Sequence, residues 1–458
     1  MSSQNETKLS TQEKVGYGLG DTASNIFFFG VNAWIFFYYT EVCKIPAATV
    51  GTLLLVPRLW DAITDPLMGA LADRTRSRFG TYRPYLLWLA VPFGLFGFLT
   101  FANPDFSAGG KLIYAYVTYI ALMTIYTAIN VPYSALMGVM SPLPDDRTKL
   151  ATYRFVGAFS GQLIISMAFL PLVLWFGGGD KGIGFPRAMA VMAILATLMF
   201  FGTFLTTRER IKPPVVKSDL AGDFKALFQN RPWVIMVVAA LLTLSAAAVR
   251  WTITPQYLKY YFGVGDDSYF LFLDKISFVQ TTGSLAFIAG VFMTGFFGKR
   301  FGKRNSLMAL TLLNGIAILL MFLIPRDGYV TLVWLNLVGN LLAGPTPALV
   351  WAIYTDVADY GEWKSGRRVT GLAFSAAMFA QKVGISIGGS LCGWLLGAVG
   401  FDPDVEPSDQ VIQSFRVIAC LLPGALAILN GVVLIWYRLS DEEVEKIAEE
   451  LEQRRSER

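Results

Sequence analysis

Histidine is absent from the chain, and cysteine occurs only three times. The lack of histidine excludes Ser-His-Asp hydrolysis, zinc held by histidine and haem ligation through histidine. Cys43, Cys392 and Cys420 are far apart and show no CxxC spacing, so neither a metal cluster nor a disulfide framework is indicated. We expect them to be small apolar packing residues. If the activity of the protein is coupled to a proton, carboxylates must be the groups that bind it.

Charge is also scarce. Only 16% of the 458 residues are charged, against roughly 25% in soluble domains, while 54% are hydrophobic and 14% aromatic. A soluble fold of this size needs a polar surface that this composition cannot supply. The remaining class is a polytopic helical membrane protein, with about 20 residues per span and therefore roughly twelve spans. The polar N-terminus lacks the pattern of a cleaved signal peptide, and the net charge of +5 suggests no nucleic-acid partner.

Long apolar runs divide the chain into two halves of six predicted helices each. The predicted spans are 16–41, 47–71, 84–102, 111–140, 151–176, 186–206, 232–262, 276–298, 306–324, 329–355, 370–399 and 412–437. The longest internal polar stretch, which contains Pro213-Pro214, reads as a linker. The predicted parts are an N-terminal bundle (1–207), a cytoplasmic linker (208–231), a C-terminal bundle (232–438) and a cytoplasmic tail (439–458).

The distribution of Lys and Arg predicts the topology. Every basic cluster follows an even-numbered span: 74–83, 147–149, 208–212, 299–304 and 364–368. Loops on the other side are acidic and rich in Gly and Pro. By the positive-inside rule, both termini should be cytoplasmic.

The two halves resemble each other, and the tail has a helical pattern. GALADRTRSRFGTYRP leaves span two and GFFGKRFGKRN leaves span eight, the second span of its own half, which indicates a parallel repeat. In the tail, Val444, Ile447 and Leu451 occur at helical spacing. We expect a short amphipathic helix there, either a solvated end cap or a partner-binding segment.

Charged side chains occur inside the first two predicted spans, where each costs about 2.5–3.5 kcal/mol on insertion scales. Asp21 lies in span one, and Arg58, Asp61 and Asp65 lie in span two. Asp61 and Asp65 are one turn apart on one helix face, so the pair could hold Na⁺, Li⁺ or a proton between like charges. Pro66 frees a backbone carbonyl as a further oxygen ligand. Alternatively, Arg58 pairs with one aspartate and the other lies near the interface.

Polar residues in spans four and five form a second candidate group. Thr127 and Asn130 are three apart beside Pro132 and could bind sugar hydroxyls or a hard cation, or bond neighbouring helices. Arg154 lies one turn inside span five. It either pairs with the aspartates of the N-terminal half or snorkels to the interface.

In the second half, Arg250 and Lys382 lie at mid-span, and we expect both to face a central cavity. Trp351 could stack on a sugar face or belong to the core or the lipid surface. We find no intramembrane Asp or Glu in this half to neutralise the two cations. We therefore hypothesise an acidic sugar, such as a hexuronate or a uronide. The alternative is a neutral pentoside or hexoside, with Lys382 reaching the aspartates and Arg250 held by helix-end carbonyls.

Three segments together resemble the glycoside–pentoside–hexuronide:cation symporters, the melibiose-carrier-like branch of the major facilitator superfamily. They are RLWDAITDPLMGALADRTRSRFGTYRP, YTAINVPYSAL and YTDVADYGEWKSGRRVTGLAFSAAMFAQKVG. The resemblance covers nearly the whole chain, and the third segment is the most specific. It implies an all-α integral membrane protein with twelve transmembrane helices in two six-helix pseudo-symmetric bundles around a central sugar site.

The resemblance also implies roles for individual residues. Asp21 matches a residue that contacts glycosyl hydroxyls, the pair Asp61 and Asp65 matches the cation carriers, and Thr127 matches a contributor to the cation site. Supporting or coupling roles follow for Arg58, Arg154 and Lys382. Asn130 stands where the melibiose carrier has a second sugar-contacting aspartate, and Ser134 where it has a tryptophan. Both departures argue against an α-galactoside substrate.

These observations predict a secondary active symporter that imports a sugar or glycoside with Na⁺ or H⁺ by alternating access. The substrate-binding candidates are Asp21, Asn130, Arg154, Arg250, Trp351 and Lys382, and the cation candidates are Asp61, Asp65 and Thr127, with Arg58 in support. An uncoupled facilitator and a sugar sensor in a carrier fold remain alternatives. An integral-membrane enzyme is disfavoured because no nucleophile–base or metal-ligand cluster is present.

The expected partners are the sugar, a monovalent cation and the lipid bilayer, without a resident cofactor and without nucleic acid. We expect a monomer in the bacterial inner membrane.

Overall fold

A computed structural model describes residues 9–211, 227–366 and 370–456, except for the side chains at 58, 62, 144, 145, 370, 371, 455 and 456. The described chain forms two compact units. The first takes in the residues up to 211 together with Val264–Thr281 and Gly400–Glu406. The second takes in the residues from 227 to Gly263, Thr282–Val399 and those from Pro407 onward. Most of the predicted linker lies outside the described residues, and the predicted bundle boundaries stay a prediction.

The first unit is built from six helices. They are α1 (Thr11–Phe37, continued by a π-helical turn, Tyr38–Val42), α2 (Ala47–Arg74), α3 (Arg83–Thr100), α4 (Ala108–Met140), α5 (Pro144–Gly177) and α6 (Lys181–Thr206). A small antiparallel hairpin also belongs to it, formed by β1 (Ser268–Phe270) and β2 (Leu273–Asp274). The core between these helices is aromatic, with Trp34, Phe37, Phe101 and Phe169 arranged around Phe185.

The remaining helices include α8, which begins in the first unit and continues into the second. In chain order they are α7 (Arg231–Tyr261), α8 (Lys275–Phe292), α9 (Thr294–Phe301), α10 (Lys303–Met321), α11 (Tyr329–Ala343), α12 (Thr346–Ser365), α13 (Thr370–Ala398), α14 (Asp409–Arg416), α15 (Leu422–Val433) and α16 (Asp441–Ser456). A π-helical turn, Val417–Leu421, joins α14 to α15, and a 3-10 turn, Leu434–Trp436, follows α15.

Nine helical segments within the described residues are long and apolar enough to cross a membrane. Three further helices are long enough, since α1, α2 and α13 have 27, 28 and 29 residues. These three are less apolar because they carry polar side chains, including Asp21, Asp61 and Lys382. Each of the three helices with the weakest membrane signal thus carries at least one candidate site residue. The count of twelve spans stays a prediction.

Local side-chain bonds set where helices start. At the start of α1, the Ser10 hydroxyl accepts from the backbone N–H of Glu13 at 3.2 Å, and the Glu13 carboxylate accepts from the backbone N–H of Ser10 at 2.9 Å. This reciprocal pair satisfies two N–H groups that the first turn leaves unpaired. At the start of α6, the Asp180 carboxylate accepts from the backbone N–H of Gly182 at 2.7 Å.

Small residues let α1 and α5 pack against each other at backbone distance. A Cβ atom on Gly157 would clash with the carbonyl oxygen of Gly18, and one on Gly161 would lie 2.6 Å from the carbonyl oxygen of Thr22. Helices in lipid associate through such close packing rather than through hydrophobic burial. The crossing holds Asp21 of α1 next to Arg154 of α5.

We expect Gly157→Leu to destabilise the protein by about 2 kcal/mol or more, because the side chain cannot fit without separating α1 from α5. Gly138→Leu is the matched control, since Gly138 is exposed on α4 and a Cβ there meets no atom within 4 Å. Thermal unfolding of the purified protein in detergent measures both. Equal melting temperatures for the two variants would contradict the packing.

The tail forms the predicted amphipathic helix, α16, which is part of the second unit and packs on its core. Its apolar residues Ile447 and Leu451 are 7% and 4% exposed and belong to a core cluster with Trp233 and Tyr437. Its polar residues bind α12: the Trp363 indole N–H donates to Glu450 Oε2 at 2.7 Å. The structure therefore supports the end-cap interpretation.

The three cysteines are free and buried, as expected for packing residues. Cys392 and Cys420 pack with α7: their thiols lie 3.7 Å from the carbonyl oxygen of Val249 and 3.6 Å from the hydroxyl oxygen of Tyr257. No group of three or more Asp, Glu, Cys or His side chains that could hold a metal ion occurs in the described part of the chain.

Candidate functional site

The buried carboxylate of Asp21 is the centre of a polar network in the first unit. Arg154 Nε donates to Asp21 Oδ2 at 2.6 Å, and the Tyr133 hydroxyl lies 3.3 Å from the same oxygen. A terminal nitrogen of Arg154 donates to the Ser134 hydroxyl at 3.1 Å. Asp21 is 6% exposed, so an ionised carboxylate there needs the guanidinium beside it. Of the two roles predicted for Arg154, the structure shows the ion pair.

Tyr17 and Tyr133 hold this network in position. Their rings are stacked with centroids 4.6 Å apart. The Tyr133 hydroxyl donates to the carbonyl oxygen of Tyr17 at 2.6 Å, and the Tyr17 hydroxyl donates to the carbonyl oxygen of Tyr133 at 3.2 Å. Neither tyrosine was predicted from the sequence. Tyr17 precedes Asp21 by one helical turn, and Tyr133 lies in the YTAINVPYSAL segment, so spacing could have indicated them.

Asn130 joins α4 to α1. Its side-chain oxygen accepts from the Ser24 hydroxyl at 2.7 Å, and its amide N–H donates to the carbonyl oxygen of Tyr126 at 3.0 Å. This is the helix-bonding alternative of the sequence analysis. Ser24 was not singled out there, and only its contact reveals it. Asn130 remains half-buried, so a sugar-binding role stays a prediction.

The cation candidates lie on α2 and α4, and two of them touch. The Thr127 hydroxyl donates to Asp65 Oδ1 at 2.9 Å. Asp61 is fully buried one turn before Asp65, which is half-buried, and Thr127 is 2% exposed. Carboxylate and hydroxyl oxygens are ligands suited to a hard cation. The side chain of Arg58 lies outside the described residues, so its predicted support of this group stays a prediction.

A second bond joins the same two helices nearby. The Trp60 indole N–H donates to the Thr124 hydroxyl at 3.0 Å. Thr124 and Thr127 are three apart, so they lie on one face of α4. The two bonds hold this face of α4 against the helix that carries both aspartates.

In the second unit, Arg250 is held by neutral groups. One terminal nitrogen donates to Asn336 Oδ1 of α11 at 2.9 Å, and the other donates to the Met321 sulfur at 3.4 Å. One alternative predicted that helix-end carbonyls hold Arg250, whereas the structure shows two side chains in that place. Asn336 was not predicted, and no pattern in the sequence distinguishes it from other polar residues of its helix.

Trp351 and Lys382 lie in helices of the second unit. Trp351 of α12 stacks on Phe374 of α13, with centroids 5.7 Å apart and rings inclined by 9°. One face of its ring is thus occupied by the core, which is one of the alternatives that composition left open. Lys382 is half-buried in the middle of α13. The ligand roles of both residues stay predictions.

Comparison with known proteins assigns the chain to a class. The family profile described as MFS/sugar transport protein matches residues 16–441. YagG of Escherichia coli (strain K12), which is described as a candidate glycoside/cation symporter, is 38% identical over 97% of this chain and 95% of its own length. The isoprimeverose transporter of Lactiplantibacillus pentosus is 34% identical over 96% of this chain and 91% of its own length.

Solved structures share the fold. The crystal structure of a D-xylose–proton symporter matches with a TM-score of 0.67 at 14% identity, covering 93% of this chain and 98% of that one. At this identity the likeness shows the fold alone.

Proposed function

Because the chain belongs to the MFS/sugar transport protein family, we propose that it is a secondary active symporter that imports a sugar or glycoside together with Na⁺ or H⁺. Membership confirms the family resemblance of the three motifs, the all-α membrane fold and the expectation of a transporter rather than an enzyme. The cation, the substrate and the site residues belong to the proposal.

The contact between Asp65 and Thr127 is the observation that carries cation coupling. Asp65 Oδ1 already accepts a bond from Thr127, and the carboxylate of Asp61 is buried one turn away. Two like charges one helical turn apart repel in a medium of low dielectric. A bound cation would lower this repulsion, and its oxygen ligands would be the carboxylates and the Thr127 hydroxyl. An uncoupled facilitator would have no use for two such carboxylates.

Sugar binding is proposed at the Asp21 network. Arg154 and Tyr133 both contact Oδ2, so within the described part of the chain Oδ1 is left as an acceptor for a substrate hydroxyl. The tyrosine pair fixes the carboxylate before the ligand arrives, which lowers the entropy cost of binding. Asp21 and the cation candidates are all in the first unit, on α1, α2 and α4. Substrate and cation would thus both act on helices of the first unit.

Orientation and environment follow from the basic loops. We propose that the protein lies in the bacterial inner membrane with both termini cytoplasmic, because Lys and Arg cluster in loops on one side. We further propose that it acts as a monomer, with the sugar and a monovalent cation as its small-molecule partners.

Uptake by the purified protein in proteoliposomes tests the function. We expect labelled sugar to accumulate above equilibrium when an inward Na⁺ gradient is imposed, and we favour Na⁺ over H⁺ on family resemblance. If accumulation is independent of Na⁺ and depends on a pH gradient, the coupling cation is H⁺ instead of Na⁺. Counterflow without accumulation under either gradient would identify a facilitator, and binding without counterflow would identify a sensor.

Thr127 should set the apparent cation affinity. We expect Thr127→Val to raise the half-saturating cation concentration for uptake by about tenfold, because one hydroxyl contact is lost. Thr127→Ser keeps the hydroxyl and is the matched control, with an expected value within about twofold of the wild type. Cation titration of initial uptake rates measures both variants. If Thr127→Val gives the same titration curve as the wild type, Thr127 does not contribute to the cation site.

A further inference from the structure

Arg250 differs from Arg154 in the charge of its partner. Arg154 pairs with the carboxylate of Asp21 at 2.6 Å, whereas Arg250 donates to an amide oxygen and a thioether sulfur. In the second unit, the basic residues Lys303, Arg326 and Arg454 form ion pairs near helix ends. Arg250 lies in the interior of α7, and among the described residues it forms no ion pair with a carboxylate.

Two amides position the guanidinium. Asn336 Oδ1 accepts from Arg250 at 2.9 Å and from Asn340 Nδ2 at 3.1 Å, so both of its lone pairs are used. Asn340 Nδ2 also donates to the backbone carbonyl of Asn336 at 2.8 Å. Asn336 is 6% exposed. The acceptor that faces Arg250 is thus fixed in orientation by its own neighbour.

Gly283 of α8 completes this arrangement. A Cβ atom there would lie 2.8 Å from Asn336 Nδ2 and 3.0 Å from Asn340 Nδ2, so the amide pair is fitted against bare backbone. Three helices, α7, α8 and α11, therefore meet around Asn336, which holds Arg250, and Asn340, which holds Asn336. The bonds to Asn336 and Met321 engage two of the five guanidinium N–H donors, and Arg250 is half-buried.

We propose that Arg250, held by Asn336, which Asn340 orients, is the binding subsite for a carboxylate on the transported sugar. This inference rests on the proposed function and names its substrate class: a free hexuronate or a glycoside of a uronic acid. A positive charge at membrane depth is costly without a counter-charge, and an anionic substrate supplies one. The planar guanidinium can bind a carboxylate with two parallel hydrogen bonds, which also fixes the orientation of the sugar ring.

A subsite that binds a carboxylate requires that the protein partners of Arg250 be neutral. An aspartate at position 336 would pair with Arg250 permanently and compete with the substrate. An asparagine orients the same nitrogen and leaves the charge for the ligand. Asn336 and Asn340 act through Arg250, so they are positioning residues.

Ligand binding to the purified protein tests the subsite. The probes are glucuronate, a nitrophenyl glucuronide and the matching nitrophenyl glucoside, with intrinsic fluorescence or calorimetry as the readout. We expect the wild type to bind at least one of the two acidic probes about tenfold or more tightly than the glucoside. Arg250→Gln should remove that preference and leave glucoside affinity within about twofold. Arg326→Gln is the matched control, because Arg326 is exposed and paired with Asp409.

Asn336→Asp tests the positioning role separately. It keeps the size of the side chain and the acceptor for Arg250 but adds a negative charge. We expect acidic probes to lose about tenfold or more in affinity while the glucoside keeps its own, and Asn336→Gln to reduce acidic binding without reversing the preference. If Asn336 had a purely structural role, its substitution would lower the affinities for acidic and neutral probes together. The ratio of these two affinities therefore distinguishes a positioning role from a structural one.

The outcomes separate this inference from the proposed function. A wild type that binds the glucoside as well as the acidic probes, or an Arg250→Gln variant that weakens both equally, overturns the carboxylate subsite. Cation-driven uptake of the neutral sugar would then still support the symporter. If no sugar of either kind binds or is transported, both proposals fail.

Discussion

Asp65→Asn is expected to abolish uphill accumulation of sugar in proteoliposomes while sugar binding remains measurable. The variant removes the carboxylate that Thr127 contacts and leaves Asp61 without the neighbouring charge that would share a cation with it. A neutral amide binds a monovalent cation far more weakly than a carboxylate does. The cation gradient then no longer drives sugar uptake, because coupling requires that the cation and the sugar favour the same conformation of the protein.

The measurement compares accumulation ratios under an imposed cation gradient with equilibrium exchange under none. We expect the accumulation ratio of Asp65→Asn to fall to about one, and Asp61→Asn to behave in the same way. Asp105→Asn is the matched control, because Asp105 is an exposed residue of the segment between α3 and α4. If both span-two variants concentrate sugar as the wild type does, the two carboxylates do not carry the cation.

Asp21→Asn should cause the largest loss of stability among these single variants. It leaves the guanidinium of Arg154 without its counter-charge in a site where Asp21 is 6% exposed. Removing one partner of a buried ion pair costs about 3–5 kcal/mol. The Arg154 side chain is 31% exposed, so we expect a loss near the lower end of that range. Thermal unfolding in detergent measures it.

A double variant separates stability from binding. Asp21→Asn with Arg154→Gln removes both charges, so we expect it to recover about half or more of the lost stability. Sugar binding should remain weaker than wild type by about tenfold or more, since the charged acceptor for the hydroxyl is gone. Recovery of binding together with stability would show that Asp21 acts only as the partner of Arg154.

Local patterns in the sequence determined the helices. The predicted span 47–71 compares with α2 at Ala47–Arg74, and the predicted span 232–262 compares with α7 at Arg231–Tyr261. These boundaries are accessible because a long apolar run must become a helix in lipid, where each backbone group needs a partner within its own segment. The α16 helix followed from the spacing of Val444, Ile447 and Leu451 for a related reason, since one face must be buried.

Only the part of the candidate cation group that lies within one helix could be predicted from the sequence. Asp61 and Asp65 share a helix face because of their spacing alone. That the chain places Thr127 against Asp65 was suggested by family resemblance, whereas the 2.9 Å contact is a property of how α2 packs on α4. Spacing within one helix says nothing about the neighbouring helix.

Partner choice was decided by tertiary structure alone. The charge of Arg154 could have been met by any of three aspartates, and the crossing of α1 and α5 at Gly18, Gly157 and Gly161 selected Asp21. Arg250 could have met backbone carbonyls, and the packing of α7 against α11 selected Asn336 instead. Sequence determines which side chains are too costly to leave alone in lipid, because that cost depends on the side chain itself. Which group meets them depends on helices that are distant in the chain, because only their packing brings the two within hydrogen-bond distance.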